Sequence, residues 1–262
     1  MPTRAPAALF LFAHQDDEFG VFHRIERERR QGRRVVCAYL TDGATGNVQP
    51  HVRNQESLRV LRSLGIADDD VLFAGESLGI ADGKLLDHLE PAAKWLAAWF
   101  GQHEAVAIHV PAWEGGHPDH DALHAIAAHV AYELGLADTM WQFSLYNAWQ
   151  RPAPLFRVLS PLPANGTVHC ERMAWGARLR YLKLCLGYPS QATSWLGLFP
   201  FVLVHYLLRG TQCVQPVDAA RTRERPHEGR LYYEARGFST WEALAERLGK
   251  LGFHPSLRDT DR

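Results

Sequence analysis

Residues 7–18 read Ala-Ala-Leu-Phe-Leu-Phe-Ala-His-Gln-Asp-Asp-Glu, an apolar run that ends in one imidazole and three carboxylates. The apolar part predicts a buried, parallel β-strand, because strands buried on both faces read as continuous hydrophobic runs. Adjacent carboxylates repel one another, so a positive group is expected beside residues 16–18, and a metal ion is the simplest candidate. If the chain turns into a helix after His14, the i and i+3 spacing puts His14 and Asp17 on one face. Asp16 then points elsewhere, as a separate base.

A second polar group follows another apolar strand, which is predicted at 105–110. It reads Pro-Ala-Trp-Glu-Gly-Gly-His-Pro-Asp-His over residues 111–120, with His117 and His120 again at i and i+3, and a helix is predicted at 121–134. Alternating strands and helices predict a Rossmann-like α/β fold, in which a doubly wound, mostly parallel sheet is flanked by helices. The first and fourth strands are neighbours in that order, so both polar groups should face one crevice.

The remaining pattern predicts further strands at 33–42, 71–74, 140–148 and 166–173, and helices at 19–30, 51–65, 87–102, 174–187 and 239–248. The last helix should open with a capping box formed by Ser239 and Glu242. No linker or internal repeat divides the chain, so residues 1–262 are predicted to form a single domain. The motifs lie in residues 1–135, and the variable part, 136–262, is expected to complete the substrate pocket.

The charge balance and the cysteine pattern limit the partners and the cellular location that we expect. The 262 residues include 28 Lys and Arg against 29 Asp and Glu, so no general electrostatic attraction to nucleic acid is expected. The partner is predicted to be a small molecule. The four cysteines are far apart in the sequence and mostly lie in apolar runs, which predicts reduced, buried thiols and, with no export signal visible, a cytoplasmic location. Oligomeric state is left open.

One stretch raises the question of a membrane. Residues 195–208 read Trp-Leu-Gly-Leu-Phe-Pro-Phe-Val-Leu-Val-His-Tyr-Leu-Leu, without a formally charged side chain. The run is shorter than the roughly 20 residues that a spanning helix needs, and it contains Pro200. A buried helix is the expected structure. The alternative is an interfacial segment that approaches a lipid-linked substrate.

The two polar groups together supply the ligands of a catalytic zinc ion. Such a site takes three protein ligands from His and Asp or Glu and keeps a position for water, and His14, Asp17 and His120 provide that set, although iron would also suit it. The natural reaction is hydrolysis of an unactivated bond such as an amide. Asp16 is placed to accept a proton from the attacking water, and His117 to protonate the leaving amine or stabilise the oxyanion.

These residues also carry a family resemblance. Ala-His-Gln-Asp-Asp-Glu at 13–18 resembles the Ala-His-Pro-Asp-Asp-Glu signature of the zinc-dependent PIG-L (LmbE-like) de-N-acetylases, and His-Pro-Asp-His at 117–120 resembles their second signature. Further matches occur in the same order along the chain: Leu40-Thr41-Asp42-Gly43, Arg53 with Glu56, Leu64-Gly65 and Asp82-Gly83, with a weaker echo at Lys183, Tyr188, Ser190 and Gln191.

The resemblance implies a Rossmann-like fold and one zinc ion held by His14, Asp17 and His120. It also implies Asp16 as the base, His117 as acid or oxyanion stabiliser, and Arg53 in substrate binding. Members of the family remove acyl groups from amino sugars. The chain is therefore predicted to be a zinc hydrolase that removes an acyl group, most simply acetyl, from an amino-sugar-containing small molecule or glycoconjugate.

Alternatives remain open at this stage. The same site could hydrolyse another amide of a sugar conjugate, or the chain could be a non-catalytic sugar-binding protein. Gln15 replaces the proline of the family signature, which raises a question about the local turn but not about the metal. Trp113 and Trp149 could form a wall on which a sugar stacks, although buried packing is the more common use of such residues. The sequence does not identify the aglycone.

Overall fold

The computed structural model describes residues 5–46, 48–152, 154–250 and 252. Its strands are β1 (Ala7–Phe12), β2 (Arg34–Tyr39), β3 (Val71–Phe73), β4 (Ala105–Pro111), β5 (Met140–Phe143), β6 (Tyr146–Asn147), β7 (Arg157–Val158), β8 (His169–Arg172) and β9 (Thr211–Pro216). Its α-helices are α1 (Phe22–Arg30), α2 (Pro50–Ser63), α3 (Ala74–Leu78), α4 (Leu89–Gly101), α5 (Pro118–Glu133), α6 (Trp175–Cys185), α7 (Ala192–Val204), α8 (Tyr232–Ala235) and α9 (Trp241–Lys250).

The main sheet has seven strands in the order β3-β2-β1-β4-β5-β9-β8. The first five strands in this order are parallel, and β9 and β8 are antiparallel to their neighbours. β1 lies between β2 and β4, so the winding direction reverses between β1 and β4. The predicted Rossmann-like topology, a mostly parallel sheet flanked by helices in a single domain, is therefore confirmed.

Helices cover both faces of the sheet. Leu9 and Leu11 of β1 pack in the core on one face, with α4, α5 and α9, whereas Phe10 and Phe12 pack in the core on the other face, with α1, α2, α6 and α7. All six residues of β1 are buried. The strand is apolar throughout because alternate side chains enter two different cores.

The second half of the sheet departs from the prediction. β5 ends at Phe143 instead of continuing to residue 148, and β9 was not predicted. β9 was missed because its buried side chains include glutamines, of which Gln215 donates to the carbonyl oxygens of Leu162 (2.9 Å) and Gly166 (2.8 Å). Hydrophobic periodicity cannot identify a strand whose buried positions are polar and satisfied by loops.

The predicted helices begin within one to three residues of their predicted starts, and the differences at α5 and α9 have a clear cause. α5 begins at Pro118, not at residue 121, because proline suits the first helical position. α9 begins at Trp241, and the hydroxyl of Thr240 accepts the N–H of Ala243 (3.2 Å). The predicted capping box of Ser239 and Glu242 is therefore wrong, because Thr240 and not Ser239 caps the helix.

The cysteine prediction was wrong for one pair. Cys170 and Cys213 lie opposite each other in β8 and β9 and form a disulfide bond. Cys37 and Cys185 are buried free thiols, as expected. Since the cysteines were the main argument for a cytoplasmic location, that location stays a prediction with less support.

The apolar stretch at 195–208 is helical, but the expectation that it is buried was wrong. α7 continues into a π-helical turn at His205–Arg209, and only Trp195, Val202, His205 and Tyr206 are buried between Ala192 and Arg209. By length and composition alone, the helical stretch Pro189–Arg209 could cross a membrane, and 28% of its most apolar window is buried.

Candidate metal centre and active site

The first motif forms a tight turn directly after β1. Asp17 Oδ2 accepts hydrogen bonds from the backbone N–H groups of Ala13 (3.0 Å) and His14 (2.8 Å), while Oδ1 faces His120 Nε2 at 3.0 Å. Burial raises the pKa of Asp17, but the imidazoles of His120 and His14 outweigh that effect and lower the pKa to about 2. Asp17 is therefore an ionised carboxylate with one oxygen turned towards His120.

The second motif occupies the loop between β4 and α5, where two glycines are needed. Gly115 has a φ angle of +69°, and a Cβ atom on Gly116 would lie 2.2 Å from the carbonyl oxygen of Tyr146. Asp121 fixes the loop by accepting the backbone N–H groups of Glu114 (3.1 Å) and Gly115 (3.2 Å). The loop therefore presents the start of α5 to the carboxyl end of β1.

His14, Asp17 and His120 meet as the sequence predicted. His14 Nδ1 lies 3.2 Å from His120 Nε2 and 3.8 Å from Asp17 Oδ2, and His120 Nε2 lies 3.0 Å from Asp17 Oδ1. Ligands bound about 2.0–2.2 Å from a tetrahedral zinc ion lie roughly 3.3–3.5 Å from one another. The three side chains are buried and fit a metal ion of this kind.

Two further carboxylates hold the other side of the His14 ring. His14 Nε2 lies 3.1 Å from Asp119 Oδ2 and 3.3 Å from Asp82 Oδ1. Asp119 also accepts the backbone N–H groups of Gly83 (2.7 Å) and Leu85 (3.1 Å), so its position is fixed by the neighbouring loop. A carboxylate on the second nitrogen of a histidine orients the ring and leaves the first nitrogen for a metal.

Asp82 also belongs to an alternative ligand group. His14, Asp82 and His117 lie close enough to hold an ion, but Asp82 and His117 are half-buried, whereas His14, Asp17 and His120 are all buried. A fully buried set matches a site whose ligands are shielded from water. Asp82 and His117 line the more exposed side of the same cluster.

Asp16 stands beside this cluster in a strained backbone conformation. Its φ angle is +121°, outside the range that non-glycine residues usually adopt, and its backbone N–H donates to Glu18 Oε2 (2.8 Å). Burial raises the pKa of Asp16 to about 7; Arg53 opposes this rise, while Asp17 and Glu18 add to it. A carboxylate with a pKa near neutrality suits a general base.

Arg53 lies behind Asp16 and Asp82. Its guanidinium donates to the carbonyl oxygens of Gly43 (2.6 Å) and Gln15 (2.5 Å), and it lies 3.0 Å from Asp82 Oδ2 and 3.5 Å from Asp16 Oδ1. Only 2% of the residue is exposed. These contacts give Arg53 a role in positioning the carboxylates, and direct contact with a substrate stays a prediction.

His117 is the N-cap residue of α5. Its Nδ1 atom accepts the backbone N–H of Asp119 (3.2 Å), so in the neutral ring the proton is on Nε2. Burial and the neighbouring His14 lower the pKa of His117 to about 4. A neutral His117 can donate a hydrogen bond from Nε2, which suits stabilisation of an oxyanion better than donation of a proton.

Gln15 replaces the proline of the family signature without disturbing the turn. Its side-chain amide donates to Asn54 Oδ1 (2.7 Å) and to the carbonyl oxygen of Asp42 (3.3 Å). Gly43 makes this possible, because a Cβ atom there would lie 1.8 Å from Gln15 Oε1. Hydrogen bonds to α2 and to the β2 loop thus fix the motif, in place of a proline ring.

Aromatic side chains surround the candidate site. Tyr146 lies 5.6 Å from His120 and Phe238 lies 5.7 Å from His117, measured between ring centroids. Trp113 is fully buried against Trp241, so a role in a sugar-stacking wall is excluded for it in this structure. Trp149 lines a cavity of about 460 Å³ together with residues of the 148–155 and 228–236 segments.

The fold and the buried His-Asp-His group define a doubly wound α/β protein with a candidate metal centre where the winding direction reverses. Residues 9–131 match the family model described as PIG-L, GlcNAc-PI de-N-acetylase. The resemblance drawn from the motifs is thereby confirmed for this part of the chain. No curated protein matches the chain by sequence.

Several solved structures share the fold. A deacetylase of the teicoplanin biosynthesis pathway is 15% identical with a TM-score of 0.62, over 81% of this chain and 98% of that one. A deacetylase of the A40926 pseudoaglycone is 17% identical with a TM-score of 0.60, over 82% and 98%. The N,N'-diacetylchitobiose deacetylase of Pyrococcus horikoshii is 15% identical with a TM-score of 0.55, over 82% and 83%.

Sequence reasoning placed the ligand set, Asp16 and His117 together, but it assigned no role to several neighbours. Asp82 and Asp119 were quoted only as parts of motifs, although a carboxylate beside a ligand histidine is a common arrangement. Glu18 was grouped with the acidic cluster, and its part in holding Asp16 was not foreseen. Tyr146 lies outside both motifs, and no sequence signal identified it.

Proposed function

We propose that this protein is a zinc-dependent hydrolase that removes an N-acyl group, most simply acetyl, from an amino-sugar-containing small molecule or glycoconjugate. The observation that carries the proposal is the buried group of His14, Asp17 and His120, whose facing atoms lie 3.0–3.8 Å apart, with Asp16 beside it. One zinc ion per chain fits this group, and iron would fit the same ligands.

The comparisons support the same reaction class. The matching family model is described by removal of an N-acetyl group from GlcNAc-PI. The proteins that share the fold are described as deacetylases of the teicoplanin biosynthesis pathway, of the A40926 pseudoaglycone and of N,N'-diacetylchitobiose. An amino sugar is the substrate feature common to the family description and to the chitobiose enzyme, which motivates the proposed substrate class.

The metal would be held by His14 Nδ1, His120 Nε2 and an Asp17 oxygen. A divalent cation there supplies Lewis-acid chemistry, since it polarises a carbonyl oxygen and makes water more nucleophilic at neutral pH. With a metal on Nδ1, the proton of His14 would be on Nε2, which lies 3.1 Å from the acceptor atom Asp119 Oδ2. The negative charge of Asp17, Asp82 and Asp119 favours a cation at this position.

The chain's own residues perform the proton transfers. Asp16 accepts a proton as water adds to the acyl carbon, and the neutral His117 donates a hydrogen bond from Nε2–H to the carbonyl oxygen as negative charge develops there. The C–N bond then breaks, and the proton held by Asp16 passes to the departing amine. The products are a carboxylic acid and the free amino sugar.

The test is release of acid from a panel of N-acetylglucosaminides by the purified, metal-stripped chain, before and after zinc is restored. We expect release only with the metal. Asp16→Asn should lower kcat by roughly 10²–10⁴-fold without loss of folding, while Asp69→Asn, at an exposed aspartate outside the site, should act as wild type.

Mass spectrometry of the products identifies the acyl group. Release of acetate supports the proposal as stated, whereas release of a different acid from acylated analogues would favour the alternative of another sugar amide. Unchanged turnover in Asp16→Asn, or full activity in the stripped protein, would contradict the proposed mechanism.

A further inference from the structure

The outward face of α7 and of the helical turn that follows it is apolar. Its exposed side chains include Leu196 and Leu208, which are 80% and 81% exposed, respectively. The other exposed apolar residues of this face are Phe201, Val204 and Leu207. No Asp, Glu, Lys or Arg occurs between Lys183 and Arg209. A helix on the surface of a soluble domain normally shows polar residues outward, so this face marks an interaction surface.

The inward face of the same helix is fixed in the core. The Trp195 ring lies 5.3 Å from Phe19, and the Tyr206 hydroxyl donates to the carbonyl oxygen of Phe19 at 3.5 Å. The stretch leads directly into β9, which lies inside the sheet. The helix could cross a bilayer only by leaving this core. It is therefore suited to lying along a membrane surface, with one face outward, rather than to spanning it.

Positive charge lies beside the apolar face. Arg151, Arg157 and Arg209 line a cavity of about 470 Å³, whose wall includes Phe156 and Phe201. Among the described residues, none of the three arginines forms an ion pair with a carboxylate. Burial is the larger cause of a lowered pKa at Arg157, and repulsion from the nearby charges of Arg151 and Arg209 lowers it further. An anionic group in this cavity would relieve that repulsion.

We propose that this surface docks the protein on a bilayer containing anionic phospholipid. The leucines of the outward face enter the interface, and the three arginines contact lipid phosphates. A second copy of the chain is a poorer partner, because a two-fold interface through this face would bring the unneutralised arginines of both copies together. An anionic bilayer satisfies both the apolar face and the positive charge.

The docking surface is continuous with the candidate active site. The ring of Phe201 lies 4.6 Å from Phe156, Phe156 lies 6.4 Å from Tyr146, and Tyr146 lies 5.6 Å from His120. A bilayer against α7 would therefore be linked to the metal centre by this series of ring contacts. The docking proposal stands independently of the proposed reaction, since it rests on residues outside the metal centre.

The test is co-sedimentation of the full chain with vesicles of equal parts phosphatidylcholine and phosphatidylglycerol, compared with phosphatidylcholine alone. We expect binding to the anionic vesicles that weakens as salt is raised. Replacing all three arginines (R151Q, R157Q and R209Q) should lower the affinity about a hundred-fold, at about five-fold per arginine. The double variant L196D/L208D should lower it at least about ten-fold.

The matched control is Leu134→Asp. Leu134 is also an exposed leucine, but it follows α5 on the opposite face of the sheet, so its replacement should leave vesicle binding unchanged. Thermal unfolding of each variant checks that the fold is intact. Failure of the wild-type chain to bind anionic vesicles at low salt would overturn the proposal, and so would equal binding by the leucine variant. A lipid-free dimer that L196D/L208D converts to monomer would show that a second copy covers the face.

Discussion

The three adjacent carboxylates of the first motif have three different surroundings. Asp17 faces His120 and is held ionised, Asp16 has a pKa raised to about 7, and Glu18 is fully buried. Glu18 accepts hydrogen bonds from the Asp16 N–H and from the Tyr39 hydroxyl. Sequence spacing predicted different roles for Asp16 and Asp17, because adjacent side chains cannot both lie on one face of a turn. It could not assign Glu18, whose role depends on a tyrosine from β2.

Substitution of Arg53 tests whether this buried cation controls the pKa of Asp16. Arg53 lowers the pKa of Asp16, so removing its charge should raise that pKa further. Because Asp16, the proposed base, must be deprotonated to act, the acid limb of the kcat/KM profile should move to higher pH in Arg53→Met. We also expect about 1–3 kcal/mol less stability, because the carbonyl groups of Gly43 and Gln15 lose their donor. The measurements are pH–rate profiles and chemical denaturation.

Arg53→Lys is the matched control for the charge. It keeps the positive charge but cannot reach all four oxygen atoms, so kcat should fall about ten-fold while the pH profile stays close to wild type. A rise in KM with unchanged kcat and an unchanged pH profile in Arg53→Met would contradict the positioning role. That result would instead support the substrate contact predicted from the sequence.

Among the elements, those that deliver the chemistry were predicted best. β1 and β4 are continuous apolar runs that end in polar clusters, and such runs are typical of buried parallel strands. β9 was missed because buried glutamines interrupt its pattern. α7 was identified as a helix, but its exposure was not predicted, because an apolar run has the same composition whether a core or a membrane covers it. Local sequence therefore predicts whether an element is a strand or a helix better than it predicts what surrounds that element.

α5 carries a buried histidine that should make stability depend on pH. His124 is fully buried, and its Nδ1 atom lies 2.9 Å from the carbonyl oxygen of Pro111. Burial lowers its pKa to about 4, although the hydrogen bond to Pro111 opposes this. Between about pH 6.5 and pH 4 the unfolded chain binds a proton that the folded chain does not. Stability from this group is therefore complete above about pH 6.5 and falls by roughly 3 kcal/mol towards pH 4.

His124→Asn isolates this contribution. The asparagine amide can still donate to Pro111, but it does not titrate, so the free energy of unfolding should fall less steeply between pH 6.5 and pH 4. Denaturant unfolding across this range measures the difference in slope. His51→Asn, at an exposed histidine, controls for the loss of an imidazole. A pH dependence in His124→Asn equal to that of wild type would show that His124 is protonated in the folded state.

At the scale of the whole molecule, topology brings the two motifs together. β1 and β4 are adjacent in the sheet, so side chains 106 positions apart, His14 and His120, lie within 3.2 Å. The sequence was sufficient for this prediction, because alternation of strands and helices restricts the strand order. It was not sufficient for the substrate side of the crevice. Tyr146 and Phe238 reach the site from the variable part of the chain, where no motif marks them.

The dependence of this region on long-range packing explains why the aglycone was not predicted. Tyr146 is placed by Glu114, which accepts its backbone N–H at 3.0 Å, and by Tyr232, whose ring centroid lies 5.4 Å away. Tyr146 and these two partners come from three separate parts of the chain. That residues 136–262 complete the substrate pocket therefore stays a prediction, to be tested with substrates of different aglycones.

The most direct measurement is a titration of zinc into the metal-stripped chain while acid release from an N-acetylglucosaminide is followed. We predict that activity rises linearly and reaches a plateau at one zinc ion per chain. We also expect Asp17→Asn, which keeps the shape of the side chain but removes its charge, to require far more zinc and to reach less activity. Full turnover without added metal, or a titration curve of Asp17→Asn identical to that of wild type, would contradict a catalytic metal held by His14, Asp17 and His120.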